Sequence, residues 1–203
     1  MDTEVVKVDA REPDRATLGR AARVLKAGGL VAFPTETFYG LGAAALDPLA
    51  VRRIFEVKGR PAAKPLPVLV ASAEMVAVLA EDVPARARAL MTRYWPGPLT
   101  LVLRARPAVP EEVTAGTGTV GVRVSSHAVA RGLAAALGGP VTAPSANPSG
   151  QAPATTAAEV LGYFDGAISL VLDGGPTPGG APSTVLDVMA DPPRVVRQGP
   201  VRV

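Results

Sequence analysis

Residues 30–42 read LVAFPTETFYGLG, an apolar run that passes directly into a polar segment. The continuous apolar character of residues 30–33 predicts a buried strand, and PTETFYGLG predicts the loop that follows it. The hydroxyls of Thr35 and Thr37 and the carboxylate of Glu36 would then lie at the end of a strand. Because ligands of α/β proteins bind in the crevice beyond the strand ends, this stretch predicts the place of a site as well as part of a sheet.

Outside this stretch, short apolar runs and amphipathic segments alternate, which predicts a mixed α/β fold. We expect strands at residues 5–8, 66–70, 99–103, 120–124, 141–143, 168–172, 184–188 and 195–197. We expect helices at residues 14–27, 47–58, 74–79, 84–94, 127–137 and 157–164. The helix that begins at Asp47 has the clearest boundaries, with that residue as N-cap, Pro48 in the first turn and Gly59 after the end. Ser126 is expected to cap the helix that begins at His127.

Two connections, residues 144–155 and 173–183, are longer than ordinary loops in a compact domain. We interpret both as functional loops, and disorder is the alternative. No shift in composition divides the chain, so we predict one domain over residues 1–203.

The composition excludes several classes of chemistry. The chain has no cysteine and a single histidine, His127, which excludes a disulfide framework, a thiolate nucleophile and a multi-histidine metal site. Any metal would be oxygen-ligated, and Mg²⁺ carried on substrate phosphates fits best. Glycine and proline, 21 of each, favour turns and fixed loops and argue against a coiled coil or a helical bundle.

The formal net charge is +3 and the pI is about 9.6, which favours anionic partners without requiring nucleic acid. The first dozen residues carry several charges and lack the apolar core of a signal peptide. No apolar run approaches the roughly 18 residues that a membrane span needs. We therefore expect a cytoplasmic protein with no membrane partner.

Two polar segments contain residue types that the chain otherwise almost lacks. KGRPAAK, residues 58–64, holds two of the four lysines together with Arg60 and fits an anion site for phosphate. APSANPSG, residues 143–150, follows a predicted strand and contains the only asparagine, Asn147. Its hydroxyls, carboxamide and prolines suit a stiff loop that binds a polar ligand. The alternatives are a helix end complemented by Lys58 and an ordinary Asn-Pro turn.

One apparent motif, GTGTVG at residues 116–121, matches the glycine spacing of a dinucleotide-binding loop. That fingerprint needs a following helix and an acidic residue about 20 positions on, whereas here a strand follows and the next acid is Glu159. We therefore interpret it as a flexible or anion-binding loop. No G-x-x-x-x-G-K-[ST] segment occurs either, which excludes a P-loop ATPase.

Seven segments in this order resemble the YrdC/Sua5 family of threonylcarbamoyl-AMP synthases: PTETFYGLG, KGRP with KPL, WPGPLT, GVRV, APSANPSG, STVLD and RQG. The resemblance covers residues 15–199. It implies the short, single-domain form of the family, with a twisted mixed parallel and antiparallel sheet, flanking helices and a concave basic ligand cavity. The family's K-x-R and S-x-N tetrad corresponds to Lys58, Arg60, Ser145 and Asn147, which the resemblance makes catalytic residues.

The resemblance also implies an activity. Members of the family condense L-threonine, bicarbonate and ATP to threonylcarbamoyl-adenylate and pyrophosphate, and the product supplies the modification of adenosine 37 in tRNA. The implied ATP-binding residues are Lys58, Arg60, Lys64, Thr119, Ser145, Asn147 and Arg197. The implied threonine-binding residues are Thr35, Thr37, Arg123 and Ser183. Arg123 would pair with the threonine carboxylate, Mg²⁺ would enter with ATP, and a TsaD/Kae1-type transferase would use the product.

Four positions depart from the family pattern, and two other functions stay open. Leu69 stands where many members have a histidine near the threonine. Phe38 replaces a usual valine, Ser125 a usual proline, and Pro182 stands where a glutamate is frequent. An RNA-binding or ribosome-maturation module would use the basic pI for direct tRNA contact, although aromatic residues make up only 4% of the chain. A carbamoyl-adenylate-forming relative is the other alternative.

Overall fold

The structure is a computed structural model that describes residues 2–203, and its helices and strands form an α/β fold. The strands are β1 Glu4–Lys7, β2 Val31–Phe33, β3 Gly40–Gly42, β4 Pro67–Leu69, β5 Leu99–Arg104, β6 Thr119–Arg123, β7 Val141–Thr142, β8 Leu170–Asp173, β9 Thr184–Asp187 and β10 Arg194–Arg197. The helices are α1 Arg15–Lys26, α2 Pro48–Lys58, α3 Ala85–Tyr94, α4 Glu111–Thr114, α5 Ala128–Leu137 and α6 Ala157–Phe164. A 3-10 helix spans Glu74–Val78.

The strands form two mixed sheets. The first has the order β1-β8-β2-β3, with β8 parallel to both neighbours and β3 antiparallel to β2. The second has the order β10-β9-β5-β6-β4-β7, in which β5 and β9, and β4 and β6, are parallel. Isolated bridges Gly40–Ser145 and Ala44–Val141 connect the β3 edge of the first sheet to the β7 edge of the second. The mixed α/β prediction is confirmed, with the strands divided between two bridged sheets.

Capping side chains start the first two helices where the sequence predicts. The Asp14 carboxylate accepts a hydrogen bond from the Thr17 amide at 2.8 Å, and Asp47 accepts one from the Leu49 amide at 2.9 Å. These bonds satisfy amides that the first helical turn leaves unpaired. Gly59 ends α2 with a φ of 55°, a left-handed conformation that glycine adopts at little steric cost.

The predicted cap of α5 is wrong. His127, not Ser126, is the N-cap, and its Nδ1 accepts a hydrogen bond from the Val129 amide at 3.3 Å. The helix therefore begins one residue later than predicted, at Ala128. An imidazole nitrogen can replace a serine oxygen here because a cap needs only an acceptor within reach of the first amides.

Buried apolar side chains form two clusters. In one, α1 and α5 pack together against the first sheet, with Leu25 and Leu133 beside Phe33. The two helices approach so closely that a Cβ built on Gly132 would lie 2.6 Å from Cδ1 of Leu18. The larger cluster includes side chains from α2, α3, α6 and the second sheet. The strands that carry the polar loops are therefore anchored in buried apolar surface, the main favourable term in folding.

Two elements go unpredicted from the sequence, β3 and α4. The last three residues of PTETFYGLG form β3 because they pair with β2, although two of the three are glycines and carry no strand pattern. The helix α4 is four residues long, which is too short to show a period. Strand β6 begins at Thr119, within GTGTVG, so a strand and not a helix follows these glycines, as expected. Within residues 2–203, no helix combines the length and apolar character that crossing a membrane requires.

Candidate functional site

Three loops meet beyond the end of β2. The Tyr39 amide donates to the Ala154 carbonyl at 2.9 Å, and the Ala146 amide donates to the Tyr39 carbonyl at 2.8 Å. From the other side, the Gly179 amide donates to the Thr37 carbonyl at 2.8 Å. Both of the long connections therefore contact the segment that follows β2, which is the arrangement expected of loops that build a site at strand ends.

A cavity of about 280 Å³ lies among these loops. Three arginines, Arg60, Arg123 and Arg197, line it, and within residues 2–203 no acidic side chain does. The other lining residues are Thr35, Thr37, Phe38, Tyr39, Gly40, Pro67, Val68, Leu69, Ala143, Pro144, Ser145, Pro153, Pro182 and Ser183. Three guanidinium groups around a small cavity with no acidic wall fit a ligand that carries negative charge.

Seven of the predicted site residues line this cavity, and four do not. The seven are Thr35, Thr37, Arg60, Arg123, Ser145, Ser183 and Arg197. Lys64 is exposed on the turn after α2. Thr119 is the first residue of β6, and the four steps of strand that separate it from Arg123 span roughly 13 Å. The other two, Lys58 and Asn147, are buried and are not among the lining residues.

Lys58 ends α2 with its ammonium inside the protein, and the residue is only 3% exposed. Its Nζ donates to the Ser145 carbonyl at 2.6 Å and to the Asn147 carbonyl. Burial, together with the positive charge of nearby Arg60, lowers the pKa of Lys58 to about 8. The ammonium thus contacts the backbone of the APSANPSG loop.

Asn147 stabilises the same loop with its side chain. Its Nδ2 donates to the Gln151 carbonyl at 2.8 Å and to the Pro148 carbonyl at 2.9 Å. Its Oδ1 is buried and has no hydrogen-bond partner within the described chain. Ser145, two residues earlier, is the member of the loop's S-x-N pair that reaches the cavity wall.

Arg60 follows α2 and lines the cavity with a partly exposed side chain. Lys58, in contrast, is buried and is not among the lining residues. Its Nη2 donates to the Pro65 carbonyl at 3.0 Å, which leaves other guanidinium N–H groups for a ligand. Partial burial lowers the pKa of Arg60, but an arginine stays charged at physiological pH.

A buried ion pair supports the second arginine. The side chains of Arg123 and Glu36 are 7% and 13% exposed, and the Arg123 Nη1 donates to the Glu36 carboxylate. The Ser125 hydroxyl donates to the other carboxylate oxygen. Burial lowers the pKa of Arg123, and the adjacent Glu36 opposes this effect. Arg123 lines the cavity and Glu36 is not among the lining residues, so the ion pair holds a guanidinium that belongs to the cavity wall.

The sequence analysis does not identify this ion pair. Nothing in the sequence around Glu36 indicates that it pairs with Arg123, which lies 87 residues away. Ser125 differs from the family's usual proline, and the structure explains the difference, since a hydroxyl at this position contacts Glu36. The only signal available was the position of Glu36 between two threonines at a predicted strand end.

Hydroxyl groups and one apolar side chain complete the cavity wall. The Thr35 and Thr37 hydroxyls are 3.1 Å apart, and Ser183 accepts from Arg197 Nη2 at 3.1 Å. Burial, and then the positive charge of Arg123, lowers the pKa of Arg197. Leu69 is 2% exposed, at the end of β4. The wall therefore offers charge, hydroxyl groups and a small apolar surface.

A larger cavity of about 690 Å³ lies elsewhere, between the 3-10 helix and α3. Its walls include Val76, Met91 and Trp95 and two arginines, Arg88 and Arg131. None of the predicted site residues lines it. The smaller cavity is the candidate site because its chemistry, and not its size, matches the predicted residues.

Comparison with known proteins identifies the family. A sequence model of the Sua5/YciO/YrdC family, described as "Telomere recombination", matches residues 23–199. A threonylcarbamoyl-AMP synthase of Pyrococcus abyssi is 50% identical over 179 residues, which are 88% of this chain and 53% of that protein. A threonylcarbamoyl-AMP synthase of Bacillus subtilis is 45% identical over 183 residues, 90% of this chain and 53% of that protein. The chain thus spans about half the length of these two relatives.

The fold comparison gives the same result. The crystal structure of P. abyssi Sua5 complexed with L-threonine superposes with a TM-score of 0.94 at 46% identity, covering 97% of this chain and 58% of that one. The family match extends over nearly all of the strands and all three site loops. The resemblance that the seven segments indicate is confirmed, and the chain belongs to the Sua5/YciO/YrdC family.

Proposed function

We propose that this protein is a threonylcarbamoyl-AMP synthase, which condenses L-threonine, bicarbonate and ATP to threonylcarbamoyl-adenylate and pyrophosphate. Relatives that carry this name support the proposal, as does the L-threonine complex of P. abyssi Sua5. The observation that carries it is the convergence of Arg60, Arg123 and Arg197 on one small cavity without an acidic wall. The substrates bring a carboxylate, a bicarbonate and a triphosphate, all of which are anions.

The groups that line the cavity suit the two larger substrates. In this proposal Arg123, held by Glu36, binds the threonine carboxylate through its free N–H groups, with hydroxyls of Thr35, Thr37 and Ser183 also on the cavity wall. Arg60, Ser145 and Arg197 bind the phosphates of ATP. Lys64 and Thr119 lie farther out and would contact more distant parts of the nucleotide. This division keeps one arginine for the carboxylate and two for the phosphates.

The chemistry needs no side-chain nucleophile. The neutral amine of threonine attacks the carbon of bicarbonate, and loss of water leaves a carbamate. A carbamate oxygen then attacks the α-phosphorus of ATP, and pyrophosphate leaves with the electrons of the broken P–O bond. Alignment of the two anions and neutralisation of their charge supply the catalysis, and arginines and hydroxyls can provide both.

Mg²⁺ belongs to the substrate in this proposal. Within the described residues, no group of three or more His, Cys, Asp or Glu side chains could hold a metal ion. The donors of the cavity are cationic or hydroxylic, and such groups fit the phosphate oxygens better than a bare cation. Mg²⁺ would therefore enter on the phosphates of ATP and help to neutralise them.

The chemistry of the product indicates the class of enzyme that uses it. A mixed anhydride of a carbamate and AMP is an activated acyl donor, so a transferase must capture it before hydrolysis. We propose a TsaD/Kae1-type transferase that modifies adenosine 37 of tRNA in the cytoplasm, as the family resemblance implies. Direct tRNA contact by this chain belongs to the alternative RNA-binding function.

Pyrophosphate release tests the proposal. The wild-type protein should release pyrophosphate from Mg·ATP only when both L-threonine and bicarbonate are present. Arg60→Met should abolish most of this release without changing the circular dichroism spectrum, whereas Lys26→Met, at an exposed lysine of α1, should leave it unchanged. Pyrophosphate release that does not require threonine and bicarbonate would contradict the proposed synthase activity. Salt-sensitive tRNA binding without turnover would favour the RNA-binding module.

A further inference from the structure

Lys58 connects the end of α2 to the APSANPSG loop through both its side chain and its backbone. The ammonium donates to the carbonyls of Ser145 and Asn147, and the Lys58 carbonyl accepts from the Ser149 amide at 2.8 Å. Three hydrogen bonds thus join one residue to three positions of the same loop. Bonds from an ammonium are charge-assisted and stronger than those between neutral groups.

The same loop also contacts β3 and the residue before it. The Ala146 amide donates to the Tyr39 carbonyl at 2.8 Å, and Gly40 forms an isolated bridge with Ser145. Ser145 is therefore fixed between β3 and Lys58, with its residue on the cavity wall. A small displacement of Lys58 would move Ser145 relative to whatever occupies the cavity.

The burial of the ammonium and the two carbonyls that it binds argue against its moving to contact phosphate. An ammonium has three N–H donors, and two of them bind backbone carbonyls. Lys58 is 3% exposed and is not among the lining residues. Moving its Nζ into the cavity would leave two carbonyls unpaired in the interior, which is unfavourable.

We propose that Lys58 is a positioning residue whose ammonium holds residues 145–147 in place, while Arg60 makes the phosphate contact. The two cations of the K-x-R segment therefore have different roles, since Lys58 contacts the loop and Arg60 lines the cavity. This proposal rests on the proposed function for the identity of the nucleotide. Its structural part, the connection between Lys58 and the loop, does not depend on turnover.

The protonation state of Lys58 provides a second observable. Arg60 is the charged side chain that affects the pKa of Lys58. The loop, residues 143–151, contains no titratable side chain. The Tyr39 hydroxyl donates to the Gly175 carbonyl and not to Lys58. The pKa of about 8 means that the charge-assisted bonds weaken as the pH rises through that value. The loop should then loosen, so kcat should fall at alkaline pH while the dissociation constant of Mg·ATP stays constant.

Four proteins test the assignment: wild type, Lys58→Met, Arg60→Met and Lys26→Met, the last as a matched loss of an exposed lysine. The measurements are the dissociation constant of Mg·ATP by calorimetry, kcat for pyrophosphate release, and amide hydrogen exchange of residues 143–151. Lys58→Met should lower kcat about tenfold or more and speed exchange in the loop, with the dissociation constant changed less than about threefold. Arg60→Met should raise the dissociation constant about tenfold and leave loop exchange unchanged.

The opposite pattern overturns the proposal. In that case Lys58→Met would raise the dissociation constant of Mg·ATP as much as Arg60→Met does and would leave amide exchange in the loop unchanged. If Lys58→Met does not fold, Lys58→Arg replaces it. Because arginine stays charged, this variant should lose the alkaline fall of kcat near pH 8, and a fall that persists unchanged contradicts the proposal. A wild-type protein without threonine-dependent pyrophosphate release would contradict the proposed function instead, while calorimetry and hydrogen exchange would still decide the role of Lys58.

Discussion

Replacing Glu36 by glutamine should destabilise the protein strongly, because it leaves the charge of Arg123 without a counterion. Glutamine keeps the size of the side chain and one carbonyl acceptor for Ser125, so the main change is the lost negative charge. The side chains of Arg123 and Glu36 are 7% and 13% exposed, so solvent screens their interaction little. Removing one partner of a buried pair costs about 3–5 kcal/mol, and the retained hydrogen bond places Glu36→Gln near about 3 kcal/mol.

Equilibrium unfolding in urea at neutral pH measures this loss, and Glu12→Gln at an exposed site is the matched control. For a chain of this size, about 3 kcal/mol corresponds to a fall in Tm of about 6–12 °C, which calorimetry can check. The control should stay within about 0.5 kcal/mol of the wild type.

A double-mutant cycle separates the ion pair from other effects of each substitution. Arg123→Met alone leaves the Glu36 carboxylate partly buried, with the Ser125 hydroxyl as its remaining partner. The double variant removes both charges, so its loss of stability should be smaller than the sum of the two single losses by about 2 kcal/mol. Additive losses, or a Glu36→Gln variant as stable as the control, would refute the reasoning that Glu36 neutralises Arg123.

Two further predictions concern helix packing and pH. Gly132→Ala should destabilise the protein by about 1–3 kcal/mol, because its Cβ would lie 2.6 Å from Leu18 Cδ1, whereas Gly162→Ala in α6, where no atom lies within 4 Å, should be neutral or stabilising. Urea midpoints compare the two variants, and equal effects would contradict the close packing of α1 and α5. Burial, opposed by Glu36 and assisted by Arg131, lowers the pKa of His127, so the unfolded chain binds more protons and stability falls as the pH drops below about 6.5. His127→Asn keeps a capping acceptor that does not titrate, so it should lose less stability than the wild type between about pH 7.5 and pH 5 in calorimetry, and equal losses would count against this origin.

The charges of the candidate site are arranged in two layers. Arg60, Arg123 and Arg197 face the cavity, where a ligand can supply the negative charge. Glu36, which is not among the lining residues, pairs with Arg123, and the carbonyls of Ser145 and Asn147 bind the ammonium of Lys58. The outer layer determines what binds, and the inner layer determines how rigidly it is presented.

Several parts of this architecture follow from local sequence. The Asp47-Pro48 pair and Gly59 predict both ends of α2, because caps and left-handed turns act within a few residues. Apolar runs predict β2, β5 and β6, since continuous apolar side chains are typical of strands that are largely buried. The rare lysines and the lone Asn147 mark two of the segments that meet at the site.

Other parts depend on contacts between distant segments. Strand β3 has two glycines among its three residues and exists because it pairs with β2. The division of the strands into two bridged sheets is a property of pairing, which no single strand specifies. Sequence periodicity reports which residues are buried but not which strands lie next to each other.

The sequence by itself determined the α/β class, the family and the residues from which a site could be built. Only the tertiary structure decided that Arg123 is neutralised by Glu36, 87 residues away, and that Lys58 faces the APSANPSG loop while Arg60 faces the cavity. The physical reason is the range of the interactions. Caps, turns and apolar runs act between near neighbours in the chain, whereas the direction of a buried charge is set by which acceptors the folded chain places around it.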